Sequence, residues 1–159
     1  MYIRLYILLM ISSLYSCKNK EQQDSDLHNV AVNQISTAQK EIEKIDSCMK
    51  AQELAWNEGN IEVFMAGYWP SDSLCFVGKS GLNKGWNKTL ENYRKSYPDK
   101  EAMGRLLFEN LEYKAIEQHH FLVIGKWTLF RTEDTLTGHY SLVWQKMANK
   151  WIIIADHSS

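Results

Sequence analysis

The chain has 159 residues and a formal net charge of −1, and its basic residues are scattered along the sequence rather than clustered. This distribution argues against a nucleic-acid-binding surface, which needs a concentrated basic patch. Six Trp and eight Tyr are more than a small core usually takes, and they predict a lined cavity.

The N-terminal residues 1–16 have the pattern of an export signal. One positive charge at Arg4 precedes an apolar stretch that is shorter than the roughly 20 residues of a membrane-spanning helix. The segment Leu14–Cys17 resembles the lipobox of bacterial lipoproteins, with Tyr15 departing from the usual small residue. The resemblance implies lipidation of Cys17 and a location in the cell envelope, anchored to a bacterial membrane. An ordinary secretion signal is the alternative.

The pattern of residues 17–34 predicts a lipidated cysteine followed by a flexible tether. From Lys18 to Asn33 the chain is mostly polar, and such a segment buries too little apolar surface to offset its chain entropy. The remaining residues 35–159 have a common size for one domain. In this domain Cys48 and Cys75 are expected to be free thiols, and a disulfide between them is the alternative.

Helical periodicity dominates the first part of the domain. A long helix is predicted from Ser36, with an apolar stripe that runs to Trp56 and is interrupted by Gln52. Gly59 is expected to end this helix in a left-handed conformation, and Asn60 to cap the next one. Two shorter helices follow, over residues 61–68 and from about residue 84 to residue 97, and a proline ends each of them.

The remaining elements are predicted strands, rich in β-branched and aromatic residues. Helices followed by an antiparallel meander predict an α+β fold, with three N-terminal helices packed on one face of a sheet. The predicted strands are Leu74–Val77, Arg105–Glu117, Phe121–Arg131, Gly138–Met147 and Trp151–His157.

Several motifs carry a family resemblance. Leu54–Asn60 resembles the end of the first helix of nuclear transport factor 2-like domains, and Gly138–Lys146, Trp151–Ile154 and Asp156–Ser159 resemble their last hairpin. The sequence is most similar to the branch called domain of unknown function 4440, near the polyketide-cyclase-like (SnoaL-like) branch. The resemblance implies a cone-shaped fold, whose curved sheet wraps against the first helix and leaves a pocket at the open end.

The chain lacks the residues that the ketosteroid isomerase mechanism, known in this superfamily, requires. That mechanism needs a carboxylate base and a protonated acid. By the resemblance, the base would lie on the strand Leu74–Val77, and the acid near His139 or Tyr140, yet none of these positions holds a carboxylate.

Two positions are candidate polar groups of the pocket. Gln52 is expected either to point into the cavity or to lie partly exposed at the edge of its stripe, because a buried amide needs partners. Asp156 and His157 are neighbours on a strand and so point to opposite faces. His157 shares its parity with Trp151 and Ile153, which favours it as the residue facing the cavity, whereas a structural hydrogen bond at the strand end is the alternative.

Aromatic residues complete the candidate site, and the alternative for each is that it fills the core. No metal ligand motif occurs and no cofactor is implied. The predicted ligand-binding residues are Gln52, Trp56, Tyr68, Trp69, Phe76, Tyr93, Trp127, Tyr140, Trp144 and His157.

Three functions are compatible with this pattern. The favoured one is an envelope-tethered domain that binds an apolar or aromatic small molecule. The second is an enzyme acting on such a molecule, with His157 or His139 as general base. The third is a homodimerisation module with a vestigial pocket, and a homodimer is the expected assembly.

Overall fold

The computed structural model describes the backbone of residues 3–159 and the side chains of His28, Val30 and residues 32–159. The chain divides into two compact units, Met1–Glu41 and Ile42–Ser159. The described backbone of the first unit is α-helical. The sheet and the buried core belong to the second unit.

Helix α1 spans Ile3–Asn57, so the helix start predicted at Ser36 is wrong. The sequence contains neither Gly nor Pro before Gly59, and the Gln, Glu and Lys residues of the predicted tether favour helical backbone. The side chains of the predicted leader and of Cys17 lie outside the described residues, so leader and lipidation stay predictions. In the described part of the chain no helix is long and apolar enough to cross a membrane.

The end of α1 and the cap of the next helix lie at the predicted residues. Gly59 has a φ of 81°, in the left-handed region that suits glycine. The Asn60 side chain then accepts a hydrogen bond from Val63 N at 3.0 Å and caps the next helix. The shorter helices are α2 (Ile61–Met65), α3 (Trp86–Ser96) and the unpredicted α4 (Lys100–Met103).

The strands form one six-stranded sheet in the order β2-β1-β6-β5-β4-β3. Strands β1 and β6 are parallel and the other neighbours are antiparallel, which confirms the α+β fold. Strand β2 was not predicted, because its Gly81 looked like the end of a turn. The strands are β1 (Cys75–Gly78), β2 (Gly81–Lys84), β3 (Arg105–Glu117), β4 (His120–Phe130), β5 (Thr135–Met147) and β6 (Lys150–Ser158).

A bulge in β6 decides which of its side chains face inward. Trp144 pairs with Ile153 whereas Val143 pairs with Ala155, so one extra residue lies in β6 at this point. An extra residue shifts the alternation of side chains by one position. As a result Asp156 is buried and His157 is exposed, so the inward orientation expected for His157 is wrong.

The polar face of α1 covers the edge strand β3. Asn57 accepts a hydrogen bond from Leu106 N at 2.7 Å and donates one to Leu106 O at 2.9 Å. Glu53 accepts one from Phe108 N at 2.7 Å. These bonds satisfy backbone groups that an edge strand otherwise exposes. They also fix the helix in the position that brings Gln52 to the inner face of the sheet.

Candidate functional site

A cavity of about 660 Å³ lies inside the second unit. Its wall combines side chains of α1, α2 and α3 with side chains from the sheet. Most of the wall is aromatic or aliphatic, and its charged side chains are the buried Asp156 and the exposed Lys79. This combination of an apolar wall with a few polar groups is typical of small-molecule sites.

Six aromatic rings line one side of the cavity and pack against one another. Their centroids lie between 4.8 and 6.4 Å apart, mostly in edge-to-face arrangements. Such contacts hold each ring in a defined orientation. We call this set the ring cluster: Trp56, Phe64, Tyr68, Phe76, Tyr93 and Tyr97.

Asp156 lies at the base of the ring cluster. Its side chain is 4% exposed; Tyr68 donates a hydrogen bond to its Oδ2 at 2.8 Å, and Ser158 donates one to its Oδ1 at 2.6 Å. Burial raises the pKa of the Asp156 carboxyl to about 6, against the opposing effect of these two hydrogen bonds. The carboxyl therefore titrates near neutrality and is mostly ionised at pH 7.

The neighbouring tyrosines are held in their neutral form. Burial raises the pKa of Tyr68 well above its ordinary value, and the charge of Asp156 raises it further. The pKa of Tyr93 is raised in the same way, first by burial and then by Asp156. Both hydroxyls stay protonated at physiological pH, and that of Tyr68 is committed to Asp156.

Gln52 supplies a second buried polar group of the cavity wall. It is 4% exposed, and its Nε2 donates to Phe64 O at 3.1 Å, but its Oε1 has no hydrogen-bond partner. The amide packs on Gly67, where an added Cβ would lie 2.5 Å from Gln52 Cδ. Two indole Nε1 atoms are likewise buried without a partner, that of Trp127 in the cavity wall and that of Trp144 in the core.

A second polar cluster, which we call the Asp46 cluster, joins α1 to the sheet. Asp46 Oδ1 accepts hydrogen bonds from the Tyr113 hydroxyl and from Asn110 Nδ2, the latter at 2.8 Å. Tyr140, which lines the cavity, donates to Asn110 Oδ1 at 2.6 Å. Here each donor has an acceptor within the cluster. This arrangement is that of a structural link between helix and sheet.

The structure gathers most of the predicted site residues in one place. The cavity wall contains the predicted residues Gln52, Trp56, Tyr68, Phe76, Tyr93, Trp127 and Tyr140.

Four candidates lie elsewhere. Trp144 is fully buried in the core and Trp69 packs against the core, and neither contributes to the cavity wall. His157 lies opposite Ser141 on the outer face of the sheet, and His139 is also exposed. The two histidines are therefore not placed to act as bases in the cavity.

Sequence reasoning missed many contributors to the wall, among them Asp156, Phe64 and Tyr97. Asp156 was one of two adjacent candidates, and only the bulge made it the inward one. Phe64 was assigned to the apolar face of α2, and Tyr97 to that of α3. Nothing in their spacing separates a cavity-facing ring from a core ring.

The cysteines and histidines whose side chains the structure describes offer no further site. Cys48 and Cys75 are both free and partly buried, and burial raises the pKa of the Cys48 thiol. Among the described residues no group of three His, Cys, Asp or Glu side chains is placed to hold a metal ion.

Comparison with known proteins identifies similar structures. A nuclear transport factor 2-like protein of unknown function from Shewanella oneidensis is 39% identical, with a TM-score of 0.72 over 74% of this chain and 98% of that one. A nuclear transport factor 2-like superfamily protein from Salmonella enterica is 18% identical (TM-score 0.58, 74% of this chain and 88% of that one). A nuclear transport factor 2-like protein of unknown function from Pseudomonas putida is 14% identical (TM-score 0.58, 74% and 84%). No family model and no curated protein matches the chain.

Proposed function

Because the chain belongs to the nuclear transport factor 2-like superfamily, we propose that its folded unit uses the cavity to bind a small, largely apolar or aromatic molecule. The observation that carries the proposal is the ring-lined cavity itself, whose wall is mostly apolar and holds a few polar groups. A wall of this composition is typical of sites for small organic molecules. The Gln52 side chain belongs to this wall.

The dimensions of the cavity support the same function. Sites for small organic molecules have volumes of roughly 300–1,000 Å³, and 660 Å³ falls within that range. The rings of the cluster offer a large apolar area at little conformational cost, since their contacts already fix their orientations.

A thermal-shift screen of apolar and aromatic metabolites tests the proposal. A ligand present at 100 times its Kd adds about 2.7 kcal/mol of stability, which raises the Tm of a domain of this size by several degrees. We expect a hit with the wild type that is lost or weakened in Gln52→Leu. The matched control is Gln39→Leu, because Gln39 is exposed on the same helix. A hit that both variants retain would place binding outside the cavity.

The raised pKa of the buried Asp156 carboxyl makes catalysis a second candidate function. A carboxyl whose pKa lies near 6 can both accept and donate a proton at neutral pH, and perturbed carboxyls in clefts are common catalytic groups. In this version Asp156 replaces the histidines as general acid–base. Any turnover of a ligand found in the screen should vanish in Asp156→Asn and persist in His157→Ala. Turnover that survives Asp156→Asn contradicts it.

We further propose that the chain forms a homodimer through the outer face of its sheet. This face carries partly exposed apolar side chains on three adjacent strands, with Leu122 opposite Val143 and with Ile124 and Ile152 nearby. Sedimentation should show a dimer at micromolar concentration and a monomer after Val143→Lys. A monomeric wild type would end this proposal.

Finally, we propose that a lipid on Cys17 anchors the protein to a membrane of the cell envelope. This proposal rests on the sequence pattern of residues 1–17. In a bacterial host, an alkyne-labelled fatty acid should label the wild type in the membrane fraction. Cys17→Ser should lose both the label and the membrane association, whereas Cys48→Ser should keep both. Label that persists in Cys17→Ser would contradict it.

A further inference from the structure

Among the side chains of the cavity wall, charge is confined to one buried group and one exposed group. Asp156 is the buried carboxylate, and Lys79 lies exposed on the turn between β1 and β2. An exposed ammonium is screened by water and salt, whereas a buried carboxylate acts through a low dielectric. The interior of the cavity is therefore electronegative.

Three buried hydroxyls of the cavity wall already donate to acceptors within the protein. The buried hydroxyls of Tyr68, Tyr140 and Thr89 donate to Asp156, Asn110 and Gly85 respectively. Gln52 Oε1 accepts nothing. An ionised carboxylate offers roughly four lone-pair sites, and Asp156 uses two of its sites for Tyr68 and Ser158. Of the buried groups, the indole of Trp127 adds one open donor.

Rings surround the carboxylate. Tyr68 touches it, and Phe76 lies beside it across the β1–β6 pair. Tyr93 packs against Phe76 at a centroid distance of 5.7 Å and feels the charge of Asp156. The negative faces of such rings attract a cation, and groups of rings around a carboxylate suit ammonium ligands.

From this juxtaposition we propose that the ligand is an organic cation, with an ammonium group against the Asp156 carboxylate and an apolar body against the ring cluster. The inference rests on the proposed binding function and adds the charge class of the ligand.

The proposal predicts the direction in which ligand affinity changes with pH. A cation binds the ionised carboxylate, so its Kd should rise about tenfold for each pH unit below the pKa of Asp156, which is about 6. The titratable groups facing Asp156 are Tyr68, Tyr93, Tyr140 and the adjacent His157. The pKa values of the tyrosines are raised away from this range. His157→Ala controls for the histidine and should leave the slope unchanged.

Calorimetric titration of the full chain with matched probes tests the charge class. The probes are phenethylamine, benzyltrimethylammonium and the neutral phenethyl alcohol, each at concentrations up to the millimolar range. We expect both cations to bind at least about tenfold more tightly than the alcohol at pH 7.5, as charge-assisted contacts and ring faces favour the cation. The Asp156→Asn variant should remove this preference.

The control for charge alone is Asp134→Asn, because Asp134 pairs with Arg131 at the surface outside the cavity. Thermal unfolding confirms that each variant is folded before titration. A preference for cations that Asp134→Asn keeps and Asp156→Asn loses supports the inference.

Two results would overturn it, and they have different meanings. Equal binding of the alcohol and the cations, or tighter cation binding below pH 6, would leave a small-molecule site but exclude the cation. Absence of binding by all three probes, together with no hit in the metabolite screen, would remove the binding function as well.

Discussion

Two polar clusters reach the cavity wall, and they differ in what they leave unpaired. In the Asp46 cluster, Tyr113, Asn110 and Tyr140 donate to acceptors within the cluster itself. Around Asp156 the hydroxyls of Tyr68 and Ser158 are committed, but the carboxylate itself keeps lone-pair sites without a partner. The first cluster joins helix to sheet, whereas we propose that the second binds a ligand. The comparison predicts that damage to the first lowers stability and damage to the second lowers binding.

The largest expected effect is the pH dependence that Asp156 gives to folding. Its pKa is raised from 3.8 to about 6 in the folded chain, so the folded state holds the proton more tightly than the unfolded state. Its stabilising contribution is fully present below pH 3.8 and is lost as the pH rises through 6. A pKa difference of this size between the two states corresponds to about 3 kcal/mol. We therefore expect the free energy of unfolding of Asp156→Asn, relative to that of the wild type, to rise by about that amount between pH 4 and pH 7. Chemical denaturation of both proteins at a series of pH values measures it.

The outcome is specific to the cavity carboxyl. Between pH 4 and pH 7 the free energy of unfolding of Asp134→Asn should not rise relative to the wild type, because the surface pairing with Arg131 lowers the pKa of Asp134. A constant difference between Asp156→Asn and the wild type across this range would contradict the account.

The next effect in size is the loss of the link between α1 and the sheet. Asn110→Ala removes the acceptor of Tyr140 and one donor to Asp46. Because Tyr140 and Asp46 then each lose a bonding partner in a partly buried cluster, the free energy of unfolding should fall by about 2 kcal/mol. Urea denaturation measures this change. Ligand binding should change less than stability. The single-bond variant Tyr113→Phe should cost less than Asn110→Ala, and the reverse order would show that the cluster does not act as described.

A smaller effect of opposite sign is expected at Gln52. Gln52→Leu removes a buried unpartnered oxygen, and Phe64 O keeps its bond from Gly67 N at 3.3 Å. The variant should be more stable than the wild type by about 1 kcal/mol in the absence of ligand. It should bind more weakly. A destabilised Gln52→Leu would instead make the amide a structural group like those of the Asp46 cluster.

The smallest effects belong to the histidines. His157 and His139 are exposed and lie outside the cavity wall, so alanine at either position should change stability by no more than about 0.5 kcal/mol. Ligand affinity should also be unchanged, as judged by calorimetry. A loss of binding in His157→Ala would mean that the outer face, and not the cavity, carries the site.

The sequence predicted the fold better than the site, and the reason lies in particular residues. Hydrophobic periodicity and the motifs around Gly59 and Gly138 were enough for the longer elements, because each spans many residues, whereas the four-residue elements β2 and α4 were missed. Gln52 could be identified because one polar residue in an apolar stripe is visible by spacing alone. Asp156 could not be distinguished from His157, because a single extra residue in β6 reverses the side-chain alternation. The helix start failed for a similar local reason, since no helix breaker precedes Gly59.

The most direct measurement is the titration of the Asp156 carboxyl by carbon-13 NMR, with and without benzyltrimethylammonium. Asp156→Asn assigns the signal. Without the probe we expect a pKa near 6. With saturating probe we expect a pKa lowered towards the ordinary range, because a bound cation stabilises the ionised carboxylate. A pKa that stays unchanged or rises when the probe binds would contradict the role of Asp156 as the charged anchor of the cavity.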